Sequence, residues 1–128
     1  MNIHESAENY LETILILHKR KGYVRSIDIA TELSFSKPSV SVAMKNLRTN
    51  GYIEEDDGGH ITLTEKGLEI AEKMYERHTL LSNLLVALGV QPEVAAEDAC
   101  RIEHVISVET FEALKAHAAK VGAEISEK

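Results

Sequence analysis

The stretch "SFSKPSVSVAMKNLRTNGY", Ser34 to Tyr52, spaces apolar Val40, Ala43, Met44 and Leu47 at the period of an α-helix. Ser36 can cap the first turn with its hydroxyl, and Pro38 is tolerated there because the amide it lacks would find no partner inside the helix. Gly51 marks the exit. Directly upstream, "SIDIATEL" (26–33) offers Ser26 as a cap, Asp28 in the first turn, where the helix dipole favours an acid, and apolar Ile27, Ile29, Ala30 and Leu33. The two segments read as helices joined by a tight turn.

Working outward, "YIEEDDGGHITLT" (52–64) places two short alternating runs around Gly58 and Gly59, a hairpin whose turn calls for positive backbone dihedrals. On the other side, "SAENYLETILILHKR" (6–20) carries a helical stripe of Ala7, Tyr10, Leu11, Ile14 and Leu17, with Glu5, Glu8, Asn9 and Glu12 on its other face and Gly22 at its end. Helix, helix, helix, hairpin is the order of a winged helix-turn-helix, in which the helix after the turn enters the DNA major groove. Its candidate contacts are Ser36, Lys37, Pro38, Ser39, Ser41, Val42, Lys45 and Arg48, with Asn46 beside them. A small three-helix domain that binds protein has the same pattern, so charge must discriminate. The whole chain of 128 residues carries a net charge of −7, but residues 1–50 hold seven basic and five acidic residues (+2), leaving −9 to residues 51–128. A positive first half favours a polyanion partner. The wing segment "EEDDGGH" is acidic, so phosphate contacts are expected from Lys37, Lys45 and Arg48, with His60 and Lys66 weaker.

The length suits one compact domain or two small ones, and the 44% apolar content is that of a globular chain. No apolar run approaches the roughly 20 residues of a membrane span, and no secretion signal opens the chain, so neither membrane nor export is expected and the cytoplasm is. A single cysteine agrees with a reducing compartment and leaves its thiol for chemistry.

Beyond Thr64, "TEKGLEIAEKMYERHTLLSNLLVALG" (64–89) keeps a long stripe of Leu68, Ala71, Met74, Tyr75, Leu81, Leu84 and Leu85, with His78 on it. "PEVAAEDACRIEHVIS" (92–107) reads as a further helix from Pro92, and "VETFEALKAHAAK" (108–120) as another begun by Ser107; the last residues, "VGAEISEK", are expected to fray. On the helix from Pro92, Cys100, Glu103 and His104 stand three and four apart and converge on one face. Thiolate, carboxylate and imidazole make a mixed metal-ligand set; a buried cysteine beside a surface glutamate and a packed histidine is the other reading. His4, His18 and His117 lack spaced partners and read as solvated or packed.

"DACRIEHVIS" (98–107), with "ERH" (76–78) upstream and "AENYLETI" (7–14) near the start, resembles the diphtheria toxin repressor and manganese transport regulator family of metal-dependent transcriptional regulators, over about the first 120 residues. The resemblance implies a mainly α chain: a winged helix-turn-helix DNA-binding domain over 1–70 and a helical metal-binding and dimerisation domain over 71–128, without the SH3-like domain of longer members. It implies a homodimer on a palindromic double-stranded operator, repressing metal-uptake genes, with Asn9, Glu12, His78, Cys100, Glu103 and His104 at the metal. Asn9 departs from the family, which carries a carboxylate or a methionine there; Glu12 resembles the manganese branch and Cys100 the iron branch. The softer thiolate favours Fe(II), with Mn(II) close behind and Zn(II) or Co(II) binding in vitro. Ser82 and Ala96 stand where the iron branch's ancillary site has ligands, and although His78 remains, no second metal is assigned. Two alternatives stand beside it. One is a metal-independent winged-helix regulator answering an organic ligand or partner protein. The other is a metalloenzyme, for which no Gly-rich loop, His-Glu-His helix motif or nucleophile elbow appears.

Overall fold

The computed structural model describes residues 5–121. Six helices and one hairpin follow in order: α1 (Glu5–Lys21), α2 (Ser26–Leu33), α3 (Lys37–Thr49), β1 (Ile53–Glu55), β2 (Ile61–Leu63), α4 (Glu65–Ala87), α5 (Pro92–Ile102) and α6 (Val108–Val121). The mainly α class and the winged helix-turn-helix order are as the sequence predicts. The chain divides into two compact units, one running to Glu72 and the other starting at Lys73, so the division falls inside α4.

In the first unit, Leu11, Ile14 and Leu17 of α1, Ile29 of α2 and Val40, Met44 and Leu47 of α3 close on Val24, Tyr52, Ile53 and Ile61. The α1 stripe is thus the buried one, although Glu12, assigned to the polar face, is also buried at 3% exposure. Ser36 caps α3, its hydroxyl accepting from the Ser39 amide at 3.3 Å, and Pro38 sits in the first turn. The cap of α2 differs from expectation. Arg25, not Ser26, is the N-cap, and the Arg25 amide donates to Asp28 Oδ2 at 2.8 Å. Lys21 Nζ reaches the other Asp28 oxygen at 2.6 Å, and these partners hold the carboxyl below its ordinary range, Lys21 being the larger cause.

The strands pair antiparallel, Ile53 opposite Leu63 and Glu55 opposite Ile61. At the tip, Asp56 Oδ1 accepts from the amides of Gly58 (2.8 Å) and His60 (2.9 Å), an Asx turn that engages one of the four wing acids while leaving it exposed. Only Gly59 takes the positive φ there (82°).

In the second unit, Leu80 and Leu84 of α4 pack with Phe111 and Ala118 of α6, and Ile106 and Leu114 flank them. Helix α5 ends at Ile102, earlier than the apolar pattern indicates: the Glu103 amide still donates to Ala99 O (3.0 Å), but the chain turns from Glu103 to Val105. Ser107 opens α6, its hydroxyl accepting from the Thr110 amide. Val121 closes α6; residues 122–128, and His4, lie outside the described residues.

Gly67, in the first turn of α4, has no room for a side chain, because an added Cβ would overlap the Tyr52 carbonyl oxygen. That backbone approach seats α4 on the exit of α3. Gly67→Ala should therefore destabilise the first unit by roughly 1–3 kcal/mol, the overlap outweighing the better helix propensity of alanine. Urea unfolding of the two proteins would measure it; an unchanged or raised midpoint would refute the packing argument.

Candidate metal centre and nucleic-acid interface

Within the second unit, α4 carries His78, α5 carries Cys100, and the turn after α5 carries Glu103 and His104. One ligand atom from each of Cys100, Glu103 and His104 lies within 4.8 Å of the others. Glu103 is wholly buried (0% exposure), and the His104 side chain nearly so (2%). Glu103 Oε1 stands 3.7 Å from His78 Nδ1 and 3.6 Å from His104 Nε2.

Those two distances decide what the cluster suits. Both exceed hydrogen-bonding length. Both are close to the separation of two ligands sharing one ion, which bonds near 2.1 Å in tetrahedral geometry make about 3.4 Å. His78 Nδ1 is itself buried and makes no hydrogen bond among the described residues. A carboxylate removed from water costs several kcal/mol unless positive charge compensates it, and thiolate, carboxylate and two imidazoles are donors that a divalent transition ion accepts together. The residues present fit a metal.

Asn9 and Glu12 lie in the first unit, three residues apart on one face of α1; the Asn9 carbonyl accepts from Thr13 Oγ1 at 2.8 Å. Ser82 and Ala96, the places matching the ancillary site, are partly buried on α4 and α5.

Arg77 is a residue the sequence pattern does not single out. It is buried (5% exposure), and its Nη1 donates to the backbone carbonyls of Glu103 and Ile106, both at 3.0 Å, while its guanidinium lies 5.4 Å from the Phe111 ring centre. It clamps the turn that bears Glu103 and His104 to α4. A lone basic residue between Glu76 and His78 looks solvated in sequence; only the unwinding of α5 supplies the two carbonyls that need it.

All eight predicted DNA-facing residues are exposed: Ser36, Lys37, Pro38, Ser39, Ser41, Val42, Lys45 and Arg48. Three are already engaged: Ser39 Oγ accepts from Ser36 Oγ at 2.7 Å. Ser36 serves as the cap, and Arg48 Nη1 pairs with Glu55 Oε1 of the wing at 3.1 Å. Lys66, at the start of α4, donates to Asn50 O and lies over the Tyr52 ring, so it braces the exit of α3.

Comparison with known proteins covers both units. Residues 2–61 match the family model for the iron dependent repressor N-terminal DNA binding domain, and residues 64–122 match its metal binding and dimerisation domain. The chain is 38% identical over 119 residues to the transcriptional regulator MntR of Escherichia coli O6:H1, covering 93% of this chain and 77% of that protein. Among solved structures it resembles the manganese regulator SloR (TM-score 0.78, 28% identity, 93% of this chain) and T. acidophilum IdeR (TM-score 0.76, 27% identity, 95% of this chain). The chain spans 55% of the length of each of those two structures.

Two outcomes are expected from this geometry. Arg77→Leu should cost the metal-free protein about 2–3 kcal/mol, because two carbonyls lose their donor; denaturant unfolding measures it, and a change within 0.5 kcal/mol or so would show that the clamp is not needed. Glu55→Gln should release Arg48 to phosphate, strengthening DNA binding and steepening log K against log salt by about 0.9; an unchanged slope would mean that Arg48 does not reach DNA.

Proposed function

The chain belongs to the iron dependent repressor family, and from that premise we propose that Cys100, Glu103, His104 and His78, with Asn9 and Glu12 of α1, hold one divalent ion that licenses operator binding by α3. Family membership makes the protein a metal-dependent, DNA-binding transcriptional regulator and not an enzyme, which sets aside both the metalloenzyme and the metal-independent regulator. The observation that carries the ligand set is the wholly buried Glu103 carboxylate with two imidazole nitrogens at 3.6 and 3.7 Å and a thiol within the same cluster.

When bound, the ion supplies the positive charge that lets thiolate and carboxylates share one site. The chain's own groups do the rest. Arg77 fixes the backbone that presents Glu103 and His104, so these donors are preorganised for the ion. The domain division follows the reading of the sequence: residues 1–70 read DNA, and 71–128 bind metal and dimerise. Val86, Leu88, Val94, Val105 and Val108 stand exposed on the second unit, an apolar surface suited to a second copy of the chain. A symmetric dimer presents two copies of α3 to two half-sites of a palindrome, and metal and DNA then strengthen each other's binding equally. No described helix is long and apolar enough to cross a membrane, and we assign the protein to the cytoplasm, where its DNA is.

The choice of ion rests on two opposed considerations. SloR is named as a manganese regulator; the Cys100 thiolate is a softer ligand, which favours Fe(II), with Mn(II) second and Zn(II) or Co(II) able to bind in vitro. The test is an anaerobic titration of metal-free protein with Fe(II) and with Mn(II), following binding to a labelled promoter fragment from its own genome. Metal should raise DNA affinity at least tenfold, about 1.4 kcal/mol of coupling, and Cys100→Ala or His104→Ala should abolish the increase. Equal binding with and without metal would overturn the reading, and the ion with the stronger effect identifies the signal.

A further inference from the structure

Helix α3 contains Lys37, Lys45 and Arg48 and no acid at all, in a chain with 21 acidic residues. Its inward face is set by buried Val40, Met44 and Leu47. At 100° per residue, Val42 lies about half a turn round the axis from these three, and it is 61% exposed. Its same-face neighbours are Pro38 four residues before, Ser39 three before, Lys45 three after and Asn46 four after, all exposed. A β-branched apolar side chain therefore stands at the outermost line of the most cationic helix, in its N-terminal half.

An exposed valine within a basic surface is ill suited to another protein's apolar patch, which would have to bury the surrounding lysines. It suits the one apolar group that a DNA groove displays among its charges, the 5-methyl of thymine in the major groove, where the N-terminal residues of a reading helix meet base edges. We propose that Val42 is a specificity-determining residue that packs on a thymine 5-methyl in each operator half-site. This rests on the proposed reading of DNA by α3 and adds the chemistry of one contact: Val42 has no hydrogen-bonding group, so it selects thymine over cytosine by the methyl alone. Ser39, Asn46 and Lys45 beside it bond polar edges or phosphate.

The experiment begins with selection of a preferred duplex from a random library by the full chain with saturating Mn(II). Each thymine of one half-site is then replaced singly by deoxyuridine, which removes only the methyl, and affinity is measured for wild type and Val42→Ala. At one thymine the replacement should weaken wild-type binding about fourfold, the worth of one buried methyl-sized group, about 0.8 kcal/mol. Val42→Ala should bind the unmodified duplex more weakly and be indifferent to that same replacement. Wild type losing nothing at any thymine, or Val42→Ala losing as much as wild type, would overturn the proposal while leaving DNA binding by α3 intact. Sensitivity retained in Val42→Ala would move the contact to Pro38. Failure to enrich any sequence with metal present would overturn the parent reading together with this one.

Discussion

A carboxylate wholly removed from water governs the second unit. Glu103 sits at the C-terminal boundary of α5 with no exposure, and a thiol and two imidazoles are among the groups near it. Burying a negative charge is costly, and a divalent ion among such donors would offset that cost. Arg77 directs its Nη1 to the backbone carbonyls of Glu103 and Ile106. It sets where the carboxylate stands, and the ring nitrogens face it at a distance too long for hydrogen bonds.

The first unit solves a different electrostatic problem, the presentation of a cationic helix by an acidic protein. Its acids are drawn into structure: Asp28 is held by Lys21 and the Arg25 amide, Asp56 by the turn amides of the wing, and Glu55 by Arg48. Each such partner offsets the charge of one acid locally, and surface pairs of this kind contribute little to stability. The pairing of Arg48 with Glu55 also ties the C-terminal end of α3 to the wing, so the cationic face of the helix depends on the hairpin as well as on its own residues.

The family resemblance, the order of elements and the faces of α1 and α3 were legible because they rest on local rules: apolar period, caps, turn glycines and ligand spacing. Cys100, Glu103 and His104 are close in sequence, so a helical period already brings them together. His78 is distant in sequence and was legible only through the resemblance. The misreadings have local causes too. Ser26 looks like a cap by residue type, but Asp28 serves the Arg25 amide instead. The apolar pattern of α5 continues past Ile102 because Val105 and Ile106 follow, yet the helix stops and α6 begins two residues after Ile106.

What the sequence determined by itself is therefore the set of elements, the cationic face of α3 and the donor types of the candidate metal cluster, since short-range periodicity and donor identity are written residue by residue. What only the tertiary structure decided is how buried each charge is and what faces it: the complete burial of Glu103, the inward place of Glu12, the clamp by Arg77, the pairing of Arg48 with Glu55 and the exclusion of any side chain at Gly67. Burial and long-range pairing are properties of segments brought together from distant parts of the chain, and no local pattern carries them.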